Sequence, residues 1–212
     1  NFDQFGQVRD FYFPHVGLEN HIGGHFVHRV GVWVDGELSW TSDADWRISI
    51  QLENDILAGK IEAHCPRLGI SLFFGDLVYN ERNIFIRRVT VKNEFERPRL
   101  IRLFFSQQFE LYESHMAHTA YYDPINRVII HYRNQRVFLI NAEMSARGFD
   151  DYATGLFSDD GNQGTHHDAI DGKLSKNPIE HGQVDSVIGV SELYAPLEVK
   201  VIYYWLTVGK SI

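Results

Sequence analysis

From Asp45 the chain reads Asp-Trp-Arg-Ile-Ser-Ile-Gln-Leu. This alternation sets Trp46, Ile48, Ile50 and Leu52 on one side and Arg47, Ser49 and Gln51 on the other. A two-residue period of this kind predicts a strand half buried against a core. Trp33-Val34-Asp35-Gly36-Glu37-Leu38 places an Asp-Gly pair, which accepts positive φ, between two extended arms and predicts a tight hairpin. A second hairpin is predicted where Arg127 to Arg133 and Arg136 to Ala142 flank Asn134-Gln135. Four runs are apolar on both faces: Ile70 to Tyr79, Asn83 to Val91, Leu100 to Phe109 and Val199 to Val208. Strands with two greasy faces lie between layers or in the middle of a wide sheet. In all, about a dozen strands at a spacing of about 8 to 12 residues predict an antiparallel sandwich or barrel. Only Thr165 to Leu174 reads as helix, with Thr165 as cap, Asp168 completing the capping box and Gly172 as the stop. The polar stretch Ser158 to Gly164 precedes it as a loop.

Composition agrees. Val, Ile, Phe, Tyr and Trp number 64 against 28 for Ala, Leu and Met, a balance that favours strand over helix. A chain of 212 residues with 44% apolar and aromatic residues can bury a core without disulfides or metal. With no repeat or low-complexity linker, residues 1–212 read as one domain. Twenty basic against 28 acidic groups give a net charge of −8, and the arginines are scattered, so a nucleic-acid partner is not expected. No uncharged apolar run approaches the roughly 18 residues of a membrane helix, so no membrane partner is expected either. One cysteine, Cys65, excludes an intrachain disulfide framework. That single thiol and the lack of any Asn-x-Ser/Thr acceptor point to the cytoplasm. An opening at Asn1 without a basic-then-apolar leader suggests a trimmed or processed piece.

Candidate chemistry is sparse. Eleven histidines raise the question of a metal, with His21, His25 and His28 closest together. Gly23-Gly24 opposes a helix there, and the odd spacing of His25 and His28 puts them on opposite strand faces. His115 with His118, and His166-His167, are weaker pairs, and Asp159-Asp160-Gly161-Asn162 lacks the alternating oxygen ligands of a calcium loop. No metal ligand and no cofactor is predicted. The chain contains no nucleophile elbow, dinucleotide fingerprint, phosphate loop or His-Glu-x-x-His. The acid pairs Asp43/Asp45 and Asp150/Asp151 read as turn residues rather than as flanks of a glycosidic bond, and Cys65 as a buried small side chain. Aromatics can stack on sugars, and Trp33, Trp40, Trp46 and Tyr121-Tyr122 are candidates for a platform or for core. Trp40, followed by Thr-Ser-Asp, is the one expected to be exposed.

Three segments carry a resemblance. Gly6 to Gly17 (Gly-Gln-Val-Arg-Asp-Phe-Tyr-Phe-Pro-His-Val-Gly), then Asn20-His21 and His28 to Gly36, resemble the start of bacterial and archaeal glycoside hydrolase family 15 proteins. This is the family of glucoamylases, glucodextranases and trehalases. Gly164 to Asp168, Gly172 to Ile179, His181-Gly182 and Val184-Asp185-Ser186 are similar to the region before the last strand of that family's amino-terminal domain, and Tyr203 to Gly209 to the strand itself.

The resemblance implies an all-β fold, a large antiparallel β-supersandwich of the galactose-mutarotase-like type, with one short helix near 165–172. It also implies a carboxy-terminal (α/α)6 catalytic barrel that is absent from this chain. The family's acid and base carboxylates lie on that barrel, so no position here inherits a catalytic role. The expected function is therefore that of a non-catalytic domain in an inverting hydrolase of α-glucans or trehalose, packing on and supporting its own catalytic domain. His15, Asn20 and His21, in the polar loop Pro14 to Gly24, are expected at that interface or at the rim of the sugar pocket. Two alternatives stay open. In a stand-alone carbohydrate-binding module, Trp40 would stack on an oligosaccharide. An aldose epimerase-like enzyme would need a carboxylate base and a histidine acid in one cleft.

Overall fold

In the computed structural model the described residues are all but 23–27, 53–58, 80, 113, 115, 159–161 and 212, and the side chains of 52 and 59 are left aside. The strands are β1 (His28–Val34), β2 (Glu37–Trp40), β3 (Arg47–Leu52), β4 (Gly59–Cys65), β5 (Ile70–Tyr79), β6 (Ile84–Asn93), β7 (Arg99–Gln108) and β8 (His118–Asp123). They continue as β9 (Val128–Arg133), β10 (Arg136–Met144), β11 (Arg147–Gly148), β12 (Asp151–Leu156), β13 (Ile179–Gly182), β14 (Val184–Tyr194) and β15 (Val199–Gly209). A small sheet runs β12-β14-β7-β1-β2, and a large one runs β13-β8-β9-β10-β15-β6-β5-β4-β3, with β11 on β10. Every described pairing within them is antiparallel.

Alternation builds the core. Val30 and Val32 of β1, Leu103 and Phe105 of β7, and Ile188 and Val190 of β14 share one buried cluster with Leu72 and Phe74 of β5, Val89 and Val91 of β6, and Ile202 and Leu206 of β15. Phe105 stacks on Tyr204 across the layers at 4.7 Å. Each such side chain contributes about 1.5–3 kcal/mol by leaving water. The four runs apolar on both faces appear as β5, β6, β7 and β15. All four pair on both edges, as strands in the middle of a sheet do; the second face of β7 is covered at Phe104 by Ala169 and Leu174, whereas that of β15 stays partly open, with Tyr203 47% exposed. The Asp35-Gly36 hairpin turns with φ of 56° and 88°, and Asn134 takes φ 48° at the second hairpin. On β3 Ile48 packs half buried against the core, but the strand lies at the sheet edge, and Ile50 stays 42% exposed there.

The outer face of the small sheet is covered by its own chain. Trp33, Leu38, Trp40, Phe104, Ala153 and Val187 pack against Ala169 and Leu174. The helix predicted over Thr165 to Leu174 is a short 3-10 helix, Thr165–Asp171, ending at Gly172 with φ 79° as expected. Thr165 does not cap it; Gly164 holds that position and no side chain caps the amides. Thr165 instead donates its amide at 2.7 Å and its hydroxyl to the two carboxylate oxygens of buried Asp185 on β14. A tertiary acceptor has displaced the local box. Thr165→Val leaves an Asp185 oxygen without its hydroxyl donor and is expected to cost about 1–3 kcal/mol. An unchanged urea midpoint for that variant would refute the latch. No helix of the described chain is long and apolar enough to cross a membrane.

Candidate functional site

Residues 10–22 form a strap held at one end of the sandwich. Asn20 Oδ1 accepts the amides of Phe11 and Ile22 at 3.1 and 3.2 Å, and its Nδ2 donates to Asp10 at 2.8 Å. Hydrogen bonding from Asn1, opposed by burial and helped by Asn20, holds the Asp10 carboxyl below its usual range. His21 is fully buried, its Nε2 3.0 Å from the Phe13 carbonyl and its ring edge-on to Phe138 at 5.0 Å. Burial pushes its pKa down. Glu19 accepts a two-pronged hydrogen bond from Arg136 at 2.8 and 2.6 Å, and this holds the Glu19 carboxyl low. The guanidinium also lies over Tyr112 at 4.8 Å and Phe13 at 5.5 Å.

With both ends pinned, residues 14–18 project as a tip. Pro14, His15 and Gly17 are exposed, and Val16 and Leu18 stand 88% and 61% open. Of the three predicted loop residues, His15 therefore faces out while Asn20 and His21 hold the strap. Gly23, Gly24 and His25 lie outside the described residues, as do His115 and Asp159-Asp160-Gly161.

Trp40 corrects the sequence reading. It is 8% exposed, buried under the strap 165–174 with its ring edge-on to His166 at 5.9 Å. A Cβ on Gly31 would come within 2.7 Å of the ring, so glycine there lets the indole lie flat on the sheet. No ring face is left for a sugar. Trp46 is also buried, donating to Ser39 at 3.0 Å, and Tyr122 stacks on Tyr152 at 4.0 Å. The acid pairs serve the fold: Asp43 accepts the Trp40 amide at 2.8 Å, and Asp151 accepts that of Leu174 at 3.0 Å. Cys65 is buried, and desolvation raises its pKa, so it is no thiolate nucleophile.

Behind the strap lies a polar group that the sequence reading missed. His131 Nε2 meets Ser186 Oγ at 2.8 Å, and Ser186 Oγ donates to Gln107 at 3.0 Å. Phe109 separates His28 from His131, with ring distances of 5.3 and 4.9 Å. Burial pushes both imidazoles down to about 3, so they are neutral and sealed from substrate. Their phase was the available signal: His28 alternates with Val30 and Val32, and His131 with Ile129, all inward.

No protein-family model matches the chain. An uncharacterized glycosyl hydrolase of Methanocaldococcus jannaschii is 26% identical over 147 residues, which is 68% of this chain and 22% of the hydrolase. This chain thus spans about a fifth of the curated relative's length. Among solved structures, a bacterial glucoamylase complexed with acarbose superposes with a TM-score of 0.73 at 14% identity, covering 98% of this chain and 29% of the glucoamylase. A protein described as a kojibiose phosphorylase, from the human microbiome, follows at 0.52 and 6% identity, covering 95% of this chain and 25% of that one. The chain is a β-sandwich of the kind associated with glycoside hydrolases.

Proposed function

We propose that this chain is the non-catalytic amino-terminal domain of an inverting, family 15-type glycoside hydrolase acting on α-glucans or trehalose in the cytoplasm. Its partner is the helical catalytic barrel of the same protein, which it packs on and supports. The observation that carries this reading is the pairing of end-to-end fold likeness to a glucoamylase with a share of only 29% of that enzyme's length. The similarity to an archaeal glycosyl hydrolase points the same way. The tip 14–18 is the docking element in this reading. Val16 and Leu18 supply apolar contact, His15 lies at the rim of the sugar pocket, and Asn20 and His21 set the tip's angle through the bonds described above.

The 212-residue chain alone is expected to show no turnover of maltose, starch or trehalose, and turnover above buffer would overturn the non-catalytic reading. In the full-length parent, Val16→Asp with Leu18→Asp is expected to lower the thermal midpoint of the catalytic part. His15→Ala is expected to lower kcat/KM about three- to tenfold, the effect of losing one rim hydrogen bond. Parent variants indistinguishable from wild type in both measurements would remove the docking role of the tip.

A further inference from the structure

The outer face of the large sheet carries a cleft of about 460 Å³, at the lower end of the size range of small-ligand sites. Phe73 of β5 forms its half-buried floor. Arg47 and Ser49 of β3, Glu62 and His64 of β4, Ser71 of β5 and Glu94 line the walls. Antiparallel register puts these groups side by side, because Arg47 lies opposite His64, His64 opposite Ser71, and Glu62 opposite Phe73. Gly75 extends the floor: a Cβ there would meet nothing within 4 Å, so the face stays open beside Phe73.

The polar walls are preorganised. Ser71 donates to Glu94 at 2.8 Å, and His64 Nδ1 lies 3.0 Å from Ser71 Oγ and 3.3 Å from Glu94. Glu62 is paired with Lys60 at 3.0 Å, whereas Arg47 has no hydrogen-bond or ion-pair partner among the described residues. Serine, histidine and glutamate together suggest nucleophilic catalysis, but the geometry opposes it. The hydroxyl and the carboxylate meet the same imidazole nitrogen, so no proton can pass from one to the other through the ring. Nor do His64 and Glu94 flank an open gap, as an acid and a base on either side of a sugar would have to.

We propose that this cleft binds a neutral oligosaccharide of hexopyranose units. An aromatic floor matches the apolar face of a pyranose ring. Carboxylates and an imidazole bonded on one side keep free lone pairs for hydroxyl groups, and the Arg47 fork supplies donors. With both signs of charge in the walls, a neutral polyol fits better than a phosphate ester or an acidic sugar. The inference rests on the carbohydrate-active reading above but needs neither the barrel nor the tip 14–18. It places sugar recognition on a face that none of the sequence-derived aromatic candidates occupies.

The test is a 1H–15N NMR titration of the 212-residue chain with maltotriose, isomaltotriose and trehalose as probes. At least one is expected to bind with a dissociation constant of about 1 mM or tighter and to shift resonances of β3, β4 and β5. Phe73→Ala should weaken that binding about tenfold, and Arg47→Ala measurably, each with an unchanged thermal midpoint. If Phe73→Ala unfolds, the exposed Arg47→Ala and a Glu94→Gln variant decide. No binding of any probe, shifts confined to another face, or affinity untouched by the folded variants would overturn the proposal. Turnover by the chain would overturn the non-catalytic reading instead, and leave this one standing if the shifts map to Phe73.

Discussion

Between pH 6 and pH 4 the fold is expected to lose about 2–3 kcal/mol of stability per pH unit, a steep acid response set by buried imidazoles. Burial pushes three histidines down to about 3: His28, which faces Arg87; His131, which faces His118 and His28; and His166, which faces Arg29 and His167. In the unfolded chain each returns to about 6.5, so the unfolded state binds up to three more protons below that value. Their stabilisation is complete above pH 6.5 and disappears as the solution becomes acidic. Asp185 works the other way. Burial, opposed by the Thr165 donors and Arg29, raises it to about 6, so its contribution is full below the unfolded carboxyl value and is lost as pH rises through 6. Among these four groups one proton offsets three, leaving two, each worth about 1.4 kcal/mol per pH unit, and His21, which burial also pushes down, acts in the same direction as the three. The total approaches 5 kcal/mol by pH 4, at the lower edge of the whole stability of a typical domain. Urea midpoints followed by circular dichroism across this range provide the measurement. His166→Gln should lower the slope by about 1.4 kcal/mol per pH unit, and a flat profile from pH 7 to pH 4 would show that the imidazoles are hydrated.

Removing one charge from the core should be the most damaging single substitution. Arg87 and Asp76 face each other across β6 and β5, 2% and 5% exposed. The guanidinium donates twice to the carboxylate at 2.8 Å and once, at 2.8 Å, to the Gly6 carbonyl. Phe74 and Phe2 lie 4.9 and 5.3 Å from its carbon, so water cannot replace a lost partner. Arg87→Ala strands a buried carboxylate and should cost about 3–5 kcal/mol. For a chain of this length that corresponds to a fall of about 10 °C in the thermal midpoint. The double variant Arg87→Met with Asp76→Leu should cost less than either single change, because neither charge is left alone. Calorimetry on the three variants tests this. A loss below about 1 kcal/mol for Arg87→Ala would mean that the carboxylate finds solvent or a proton in the folded state.

The pair also shows where sequence reading stops. Arg87 is in phase with Phe85 and Val89, and Asp76 with Leu72 and Phe74, so the period already points both inward. Their charge argues for the opposite face, and only the pairing of β5 with β6 resolves the conflict by placing each opposite its counter-ion. Trp40 failed in the reverse sense. Its Thr-Ser-Asp neighbours suit a solvent-facing turn, yet a strap about 130 residues later in the chain covers it. Thr165 looked like a helix cap because its local partner is present in the sequence, while the acceptor it uses, Asp185, is supplied by another element. The Phe73 cleft was invisible for the same reason, since its groups are divided among β3, β4 and β5 and meet only through the pairing of those strands.

What the chain determined by itself is the alternation along each strand and the turns between them. Both follow from interactions within a few residues: side chains that switch faces at every step, and backbone angles that Asp35-Gly36 and Asn134 can adopt. Tertiary structure decided which strands are neighbours and which outer faces are covered. A two-residue period specifies a side but never a partner, and every charged, sealed or sugar-sized feature of this molecule depends on the partner.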